Sequence, residues 1–503
     1  MITQELIDYI KQQLNQGVEK EKIKQLLLAN GWQNEDIEKA FEIIAQPSMT
    51  QISETQKFIP PKKKRIKKII AIILGIFVFL LIIDFSFLPL MNLFAKDIPA
   101  IDDSDLQLQK VVIPDEENAY FDLIKIKDVI YYPKDKSNII FDIINGKTWD
   151  EQFVEEILSK NSKAFEYFDK AFLKPKYQNP ELKDLNNIDL EKYIPPLGTY
   201  QNISYLNAIK ALYLSKQGKD KEALDEILKS IDVAQKIQNS QTPLLEYSIT
   251  LGMKNISLKT MQKIVSSSKL KGNELKPYIQ NLDKFYDNSN DLIKTLKVEY
   301  NIVSYEINLI ANGDTKMLKL VSKDFEDAKI KEMISNNYYF LKNKTKLLFA
   351  ENTRMQINNA SQVCGEIKNT ENKELVPENK IPENKIKMIF EENIIGKMLY
   401  DALAINPSSL FIGRCQSDLL VGATQTMIAI KAYKNDKNGY PNSLNDLIPD
   451  YLSSIPKDPF DGGQLKYSSQ KKIIYSIGKD MQNLENISKD LKSNLSLEFK
   501  IDF

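Results

Sequence analysis

Residues 205–237 read YLNAIKALYLSKQGKDKEALDEILKSIDVAQKI, and this stretch decides the fold class. Ala208, Ala211, Leu212 and Leu214 recur at helical spacing and line one face. Gly218-Lys219-Asp220 breaks the pattern and turns the chain. Ala223, Leu224, Ile227, Ile231 and Ala234 then line a second helix. The stretch predicts two antiparallel helices joined by a tight turn. The same period runs through most of 150–435, so the body of the chain is read as helical. Few Gly (17) and Pro (20) among 503 residues fit that reading.

The hairpin resembles one tetratricopeptide unit, with Ala211, Gly218 and Ala223 at its small-residue positions and Ile227 at a large one. It departs at Lys210, where Leu is usual, and at Gln235, where Pro is usual. No second copy follows about 34 residues later, so a regular superhelix is not expected. An irregular bundle or a short α-solenoid is.

Upstream, residues 69–91 form the most apolar run. Ile69 to Ile83 are apolar throughout, Asp84 interrupts, and the run resumes to Met91. As a helix the span rises about 34 Å, enough to cross a bilayer. Lys62, Lys63, Lys64, Arg65, Lys67 and Lys68 abut its start. Such a cluster places the N-terminus in the cytoplasm and makes the run an uncleaved signal anchor. Asp84 is expected at the outer interface. Residues 46–68 are a basic linker whose Pro47, Pro60, Pro61 and scattered Ser and Thr suit a flexible tether.

Residues 1–45 read as three short helices. Leu6, Ile7, Ile10 and Leu14 mark the first; Ile23, Leu26 and Leu27 the second; Ile37, Ala40, Phe41 and Ile44 the third, N-capped by Asn34, with Trp32 stapling them. The run from Gly17 to Phe41 resembles ubiquitin-associated-like three-helix modules, which implies a protein-interaction head without implying ubiquitin as its ligand.

At the other end, a helix through Leu419, Ala423, Met427, Ile430 and Tyr433 leads into Gly439-Tyr440-Pro441. Tyr451, Pro456, Asp458, Pro459, Phe460, Tyr467, Tyr475, Gly478 and Asp480 follow in order. Two strands near Leu465–Tyr467 and Ile473–Ile477 are predicted. Strict alternation over Leu495–Phe503 predicts a third. This order resembles the C-terminal half of type II secretion major pseudopilins, which implies a small antiparallel sheet packed on a long helix. The methylated prepilin N-terminus of that family is absent. Met481-Gln482-Asn483-Leu484 stands where its calcium loop would be, leaving only Asp461 and Asp480 toward such a site, and no cofactor is expected. Tyr440, Tyr451, Tyr467 and Tyr475 are read as core, and Asp458 as a cap on local backbone N–H groups. The ectodomain also resembles uncharacterised bacterial envelope proteins through Asn393-Ile394-Ile395-Gly396-Lys397, a likeness that implies no activity.

Ile98–Ile113 is expected to be extended and Asp128–Pro133 to form a short β-like run. The duplicated Pro-Glu-Asn-Lys at 377–380 and 382–385 reads as a solvated loop. Cys364 and Cys415 either pair across a long loop or remain two buried thiols.

The chain has 68 basic and 68 acidic residues and no histidine. The absence of His excludes Ser-His-Asp and Cys-His nucleophiles and HExxH metal sites. Only Arg65, Arg354 and Arg414 stand beside 65 Lys, a skew typical of compositional drift. No phosphate-binding glycine loop occurs, and balanced charge argues against nucleic acid. Ser266 and Lys269 share an SxxK spacing without its companion motifs.

The reading is a mainly α protein: a cytoplasmic head (1–45), a linker (46–68), one transmembrane helix (69–91), a helical ectodomain (97–410) and a small α+β module (411–503). Its expected role is extracytoplasmic binding or scaffolding at a bacterial cell envelope, without catalysis. Its expected partners are the lipid bilayer, envelope proteins outside and a cytoplasmic protein through the head. The alternatives are a carboxylate-based envelope glycan hydrolase and an accessory of a pilus or secretion system.

Overall fold

The computed structural model describes residues 20–29, 34–45, 96–184, 196–287, 289–314, 336–366, 381–382, 387–388, 390–404, 406–476, 498–501 and 503, in two units divided after Asp84. The first holds α1 (Lys20–Ala29) and α2 (Asn34–Ala45). Ile23, Leu27, Ile37, Ala40 and Phe41 are buried, as an apolar stripe on each helix requires. Lys20 and Lys24 both pair with Glu38, and Lys20 Nζ stands 4.7 Å over the Phe41 ring. The first expected head helix, Trp32, the linker with Lys62, Lys63, Lys64, Arg65, Lys67 and Lys68, and the apolar run 69–91 lie outside the described residues. Among the described residues no helix is long and apolar enough to cross a membrane.

Among its described residues the second unit is helical with one small sheet. Its middle is α7 (Leu197–Lys216), α8 (Asp220–Gln238) and α9 (Leu244–Ser267). The α7–α8 turn closes as its sequence dictates. Gly218 has φ +76°, its N–H donates to the Ser215 carbonyl, and the Lys219 N–H donates to that of Leu214. These two bonds and the left-handed glycine make a Schellman stop. α9 is one long helix, not the first arm of a second hairpin, so the helices form an irregular bundle.

Against α9 and α10 (Gly272–Leu282) runs α14 (Ser408–Lys437), the longest helix among the described residues, buried on nearly all sides from Phe411 to Ala432. Its buried Thr424 and Thr426 satisfy their hydroxyls on the Leu420 and Gly422 carbonyls at 2.7 and 2.8 Å. α6 (Ser162–Leu173) packs on α7 and α8, α4 (Ser137–Asn145) and α5 (Glu151–Lys160) pack on α7, and α3 (Tyr120–Ile126) packs on α6.

A second apolar cluster joins α11 (Ser289–Ala311), α12 (Lys342–Ala360) and α13 (Ile394–Leu403) through Ile307, Leu348, Phe349, Ile395, Leu399 and Tyr400. The Asn-x-x-Gly stretch has a mechanical role here. Asn393 sits at φ +57°, and its Oδ1 accepts from the Leu341 N–H (2.8 Å) and the Thr345 hydroxyl (3.1 Å). A Cβ on Gly396 would lie 2.0 Å from Thr345 Oγ1, so only glycine lets α13 approach α12 this closely.

Segment 96–114 crosses this cluster as an extended strap with one 3-10 turn at Ser104–Leu106. Residues Asp128–Pro133 form no strand. They are a turn followed by extended chain whose polar groups are met by one side chain: Asn161 accepts from the Tyr131 N–H (2.8 Å) and donates to its carbonyl (2.9 Å). With those groups satisfied, the segment has no need of a neighbouring strand.

The C-terminal sheet has the order β1 (Lys466–Ser468), β2 (Ile473–Tyr475), β3 (Glu498–Lys500), all antiparallel. Ile474 pairs with Phe499 and both are buried, while Glu498 and Lys500 face solvent. The alternation at the chain end thus resolves into a half-buried strand.

Candidate cleft between a helix and the C-terminal module

A cavity of about 860 Å³ opens between α10 and the loop 449–464. One wall is the α10 face carrying Lys276, Gln280 and Asp283. The other carries Tyr451, Ser453, Ser454, Pro456, Lys457 and the Gly462-Gly463 backbone. Tyr286 and Gln425 close the floor.

Three side chains fix this shape. Gln425, on α14, accepts from the Tyr286 hydroxyl (2.9 Å) and donates to Asp283 Oδ1 (2.6 Å) and the Ile279 carbonyl (2.9 Å). Asp436, near the end of α14, accepts from the Gly272 N–H at the start of α10 (3.0 Å) and from the Tyr451 hydroxyl (3.0 Å). One carboxylate therefore spaces both walls. Asp458 is buried and knots the loop. Its Oδ1 accepts from the Phe460 N–H (3.0 Å), its Oδ2 from the Ser476 hydroxyl (2.6 Å). Lys276 lies 5.4 Å from the Tyr451 ring centre, a cation–π contact at the rim. Burial pushes the Tyr451 hydroxyl up to about 12 and that of Tyr286 higher still. Both phenols are neutral donors across physiological pH.

The structure distributes the expected module residues unevenly. Tyr451 and Pro456 reach the cleft, with Asp458 behind them. Tyr440 stacks on Phe503 with ring centres 5.9 Å apart. Gly439, Pro441, Pro459, Phe460, Tyr467 and Tyr475 line no part of the cleft, and Gly478 and Asp480 lie outside the described residues. Asp461 Oδ1 accepts from the Gly463 N–H (2.7 Å), and among the described residues no cluster of three ligating groups exists for a metal. Ser266 spends its hydroxyl on the Gln262 carbonyl (2.9 Å), while Lys269 falls beyond the end of α9. Sequence reasoning missed Asp283, Gln280, Gln425 and Tyr286. The polar triplet Thr424-Gln425-Thr426 inside an apolar helix was the signal available.

Two polar clusters are sealed in the core instead. Lys254 pairs with Asp287 at 2.9 Å and donates to Gln235 Oε1 (3.0 Å). Asp418 accepts the Asp287 N–H at 2.6 Å, and burial beside the Asp287 carboxylate drives its own acid well up. Arg414 lies over the Cys364–Cys415 disulfide, with Nη2 at 3.8 and 3.9 Å from the two Sγ atoms. The second cluster joins Tyr177, Tyr200 and Glu246. The Tyr177 hydroxyl donates to Glu246 and lies 3.0 Å from that of Tyr200; burial raises the Glu246 carboxyl to about 7.

No family model, no curated protein and no solved structure matches this chain. Its chemistry is therefore read from its own geometry.

Proposed function

We propose that this chain is a single-pass, membrane-anchored binding protein of a bacterial envelope, with residues 97–503 outside and the 860 Å³ cleft as its ligand site. One observation carries the reading: where the proton-holding carboxyls lie. A carboxylate hydrolase needs one acid held protonated at the scissile bond. Among the described residues, the acids that burial lifts to about 7, Glu246, Glu306 and Asp418, do not line the cleft. The cleft offers amides, hydroxyls and lysines, with two neutral phenols whose oxygens can still accept, the polar set of a binding site. The head at 1–45 would take a cytoplasmic partner, through the surface outside its buried stripe.

Two experiments test this. Protease on intact cells should remove the C-terminal part and spare residues 1–60; the reverse pattern overturns the topology. A thermal-shift screen of the full chain in detergent, with envelope glycans and envelope proteins as probes, should raise Tm by mass action. That rise should vanish in Gln280→Ala with Asp283→Ala. Turnover of a glycan would decide for the hydrolase. A second reading, an accessory of a pilus or secretion system, is favoured by the antiparallel sheet packed on α14. Co-purification with pilus components from membranes would support it.

A further inference from the structure

We propose that the end of the ectodomain around the start of α12 lies on the bilayer and binds anionic lipid headgroups. The inference rests on the reading of 69–91 as the anchor and extends it.

Chain length limits how far this end can stand from the membrane. Asp97 is six residues beyond Met91, so its distance from the end of the span is at most about 20 Å. Asp97 is not free to wander. Its carboxylate accepts from the Asn343 N–H (2.7 Å) and the Lys344 N–H (3.1 Å), and the Asn343 side chain donates to the Ile98 carbonyl (2.8 Å). Leu341, the local residue preceding α12, supplies no cap, so Asp97 is the cap, and an anion there is favoured by the helix dipole. Farther along the strap, Arg354 holds Asp105 through two bonds of 2.7 and 3.0 Å. The start of α12 is thus tied within a few residues of the bilayer.

The surface there has the charge for the task. Lys344 pairs with Glu392 and Lys397 with Glu391, both at 2.6 Å. Asp103, whose charge acts on Lys346, accepts the Tyr300 hydroxyl (2.6 Å). Asp103 keeps its charge beside Lys346, whereas Lys96, Lys342 and Lys387 have no ion-pair partner among the described residues. Lys96 and Lys387 are exposed. Phe390, 54% exposed, follows Lys387 by three residues, its N–H donates to the Lys387 carbonyl (3.1 Å), and the Tyr338 hydroxyl donates to the Phe390 carbonyl (2.5 Å). Lysines flanking an exposed aromatic ring match the headgroup zone, where phosphates meet acyl chains.

The test uses the full chain in nanodiscs of brominated phosphatidylcholine, with and without phosphatidylglycerol. Phe390→Trp places an indole on the surface; the wild type gives the background from Trp32 and Trp149. The added emission should be quenched in discs containing phosphatidylglycerol and much less in the neutral ones. Each of Lys342→Gln and Lys387→Gln should lower the ratio of contacting to free states about fivefold, with the melting temperature unchanged. Equal quenching in both lipids, or none in either, overturns the proposal. A chain that fails to enter nanodiscs at all removes the anchor reading with it.

Discussion

Lys254 and Asp287 form an ion pair of 2.9 Å with both side chains sealed from solvent. Asp287 lies in the connection between α10 and α11, so the pair fastens that connection to the bundle centre. Breaking a buried pair from one side strands a charge. Lys254→Met should cost about 3–5 kcal/mol, read from the urea midpoint. Adding Asp287→Leu should recover part of the loss, because Asp418 still carries its share of the site.

Glu246 makes stability depend on pH. Its carboxyl titrates near 7 when folded and near 4.5 otherwise, because burial disfavours the anion. Its contribution is fully present below about pH 4.5 and is lost as pH rises through about 7. The shift corresponds to about 3 kcal/mol. Urea midpoints should fall from acid to neutral pH, and Glu246→Gln should flatten that fall while keeping an acceptor for Tyr177. An unchanged profile in the variant would refute the assignment.

Gly396→Ala should destabilise the α11–α12–α13 cluster by about 1–3 kcal/mol. The added methyl would meet Thr345 and the Asn393 amide at 2.0–2.5 Å. Thr345→Ser should not relieve it, because the hydroxyl remains. Thr345→Ala should relieve part. Thermal melts of the three variants separate these outcomes.

The Cys364–Cys415 bridge spans 51 residues. The loop-entropy model gives a loss of about 4 kcal/mol on removing it. Cys364→Ser with Cys415→Ser should therefore lower the urea midpoint markedly. The wild type in reductant should match it once the buried sulfurs exchange.

Local order was legible and distant order was not. The hairpin at 205–237 follows from apolar spacing and Gly218, and the final strand from the alternation around Phe499. Both signals lie within a few residues of each other. The β-like reading of 128–133 failed because Asn161, 30 residues away, supplies the pairing. Asp97 reaches Asn343 across 246 residues, and Lys254 reaches Asp287 across 33. Among 136 charged residues nothing marks those few as partners. The cleft was half legible: Tyr451, Pro456 and Asp458 stood out by their punctuation. The α10 face opposite them carries ordinary polar residues whose role is set only by packing.

The disulfide also makes residues 364–415 a closed ring, within which lies the duplicated Pro-Glu-Asn-Lys run. A protease that cuts inside this ring yields two polypeptides that stay covalently joined. On a non-reducing gel the nicked chain would run near its full mass, and only reduction would release the pieces. Surface digestion of this protein must be read in both lanes, since a cut within the ring leaves the C-terminal module joined to the N-terminal part.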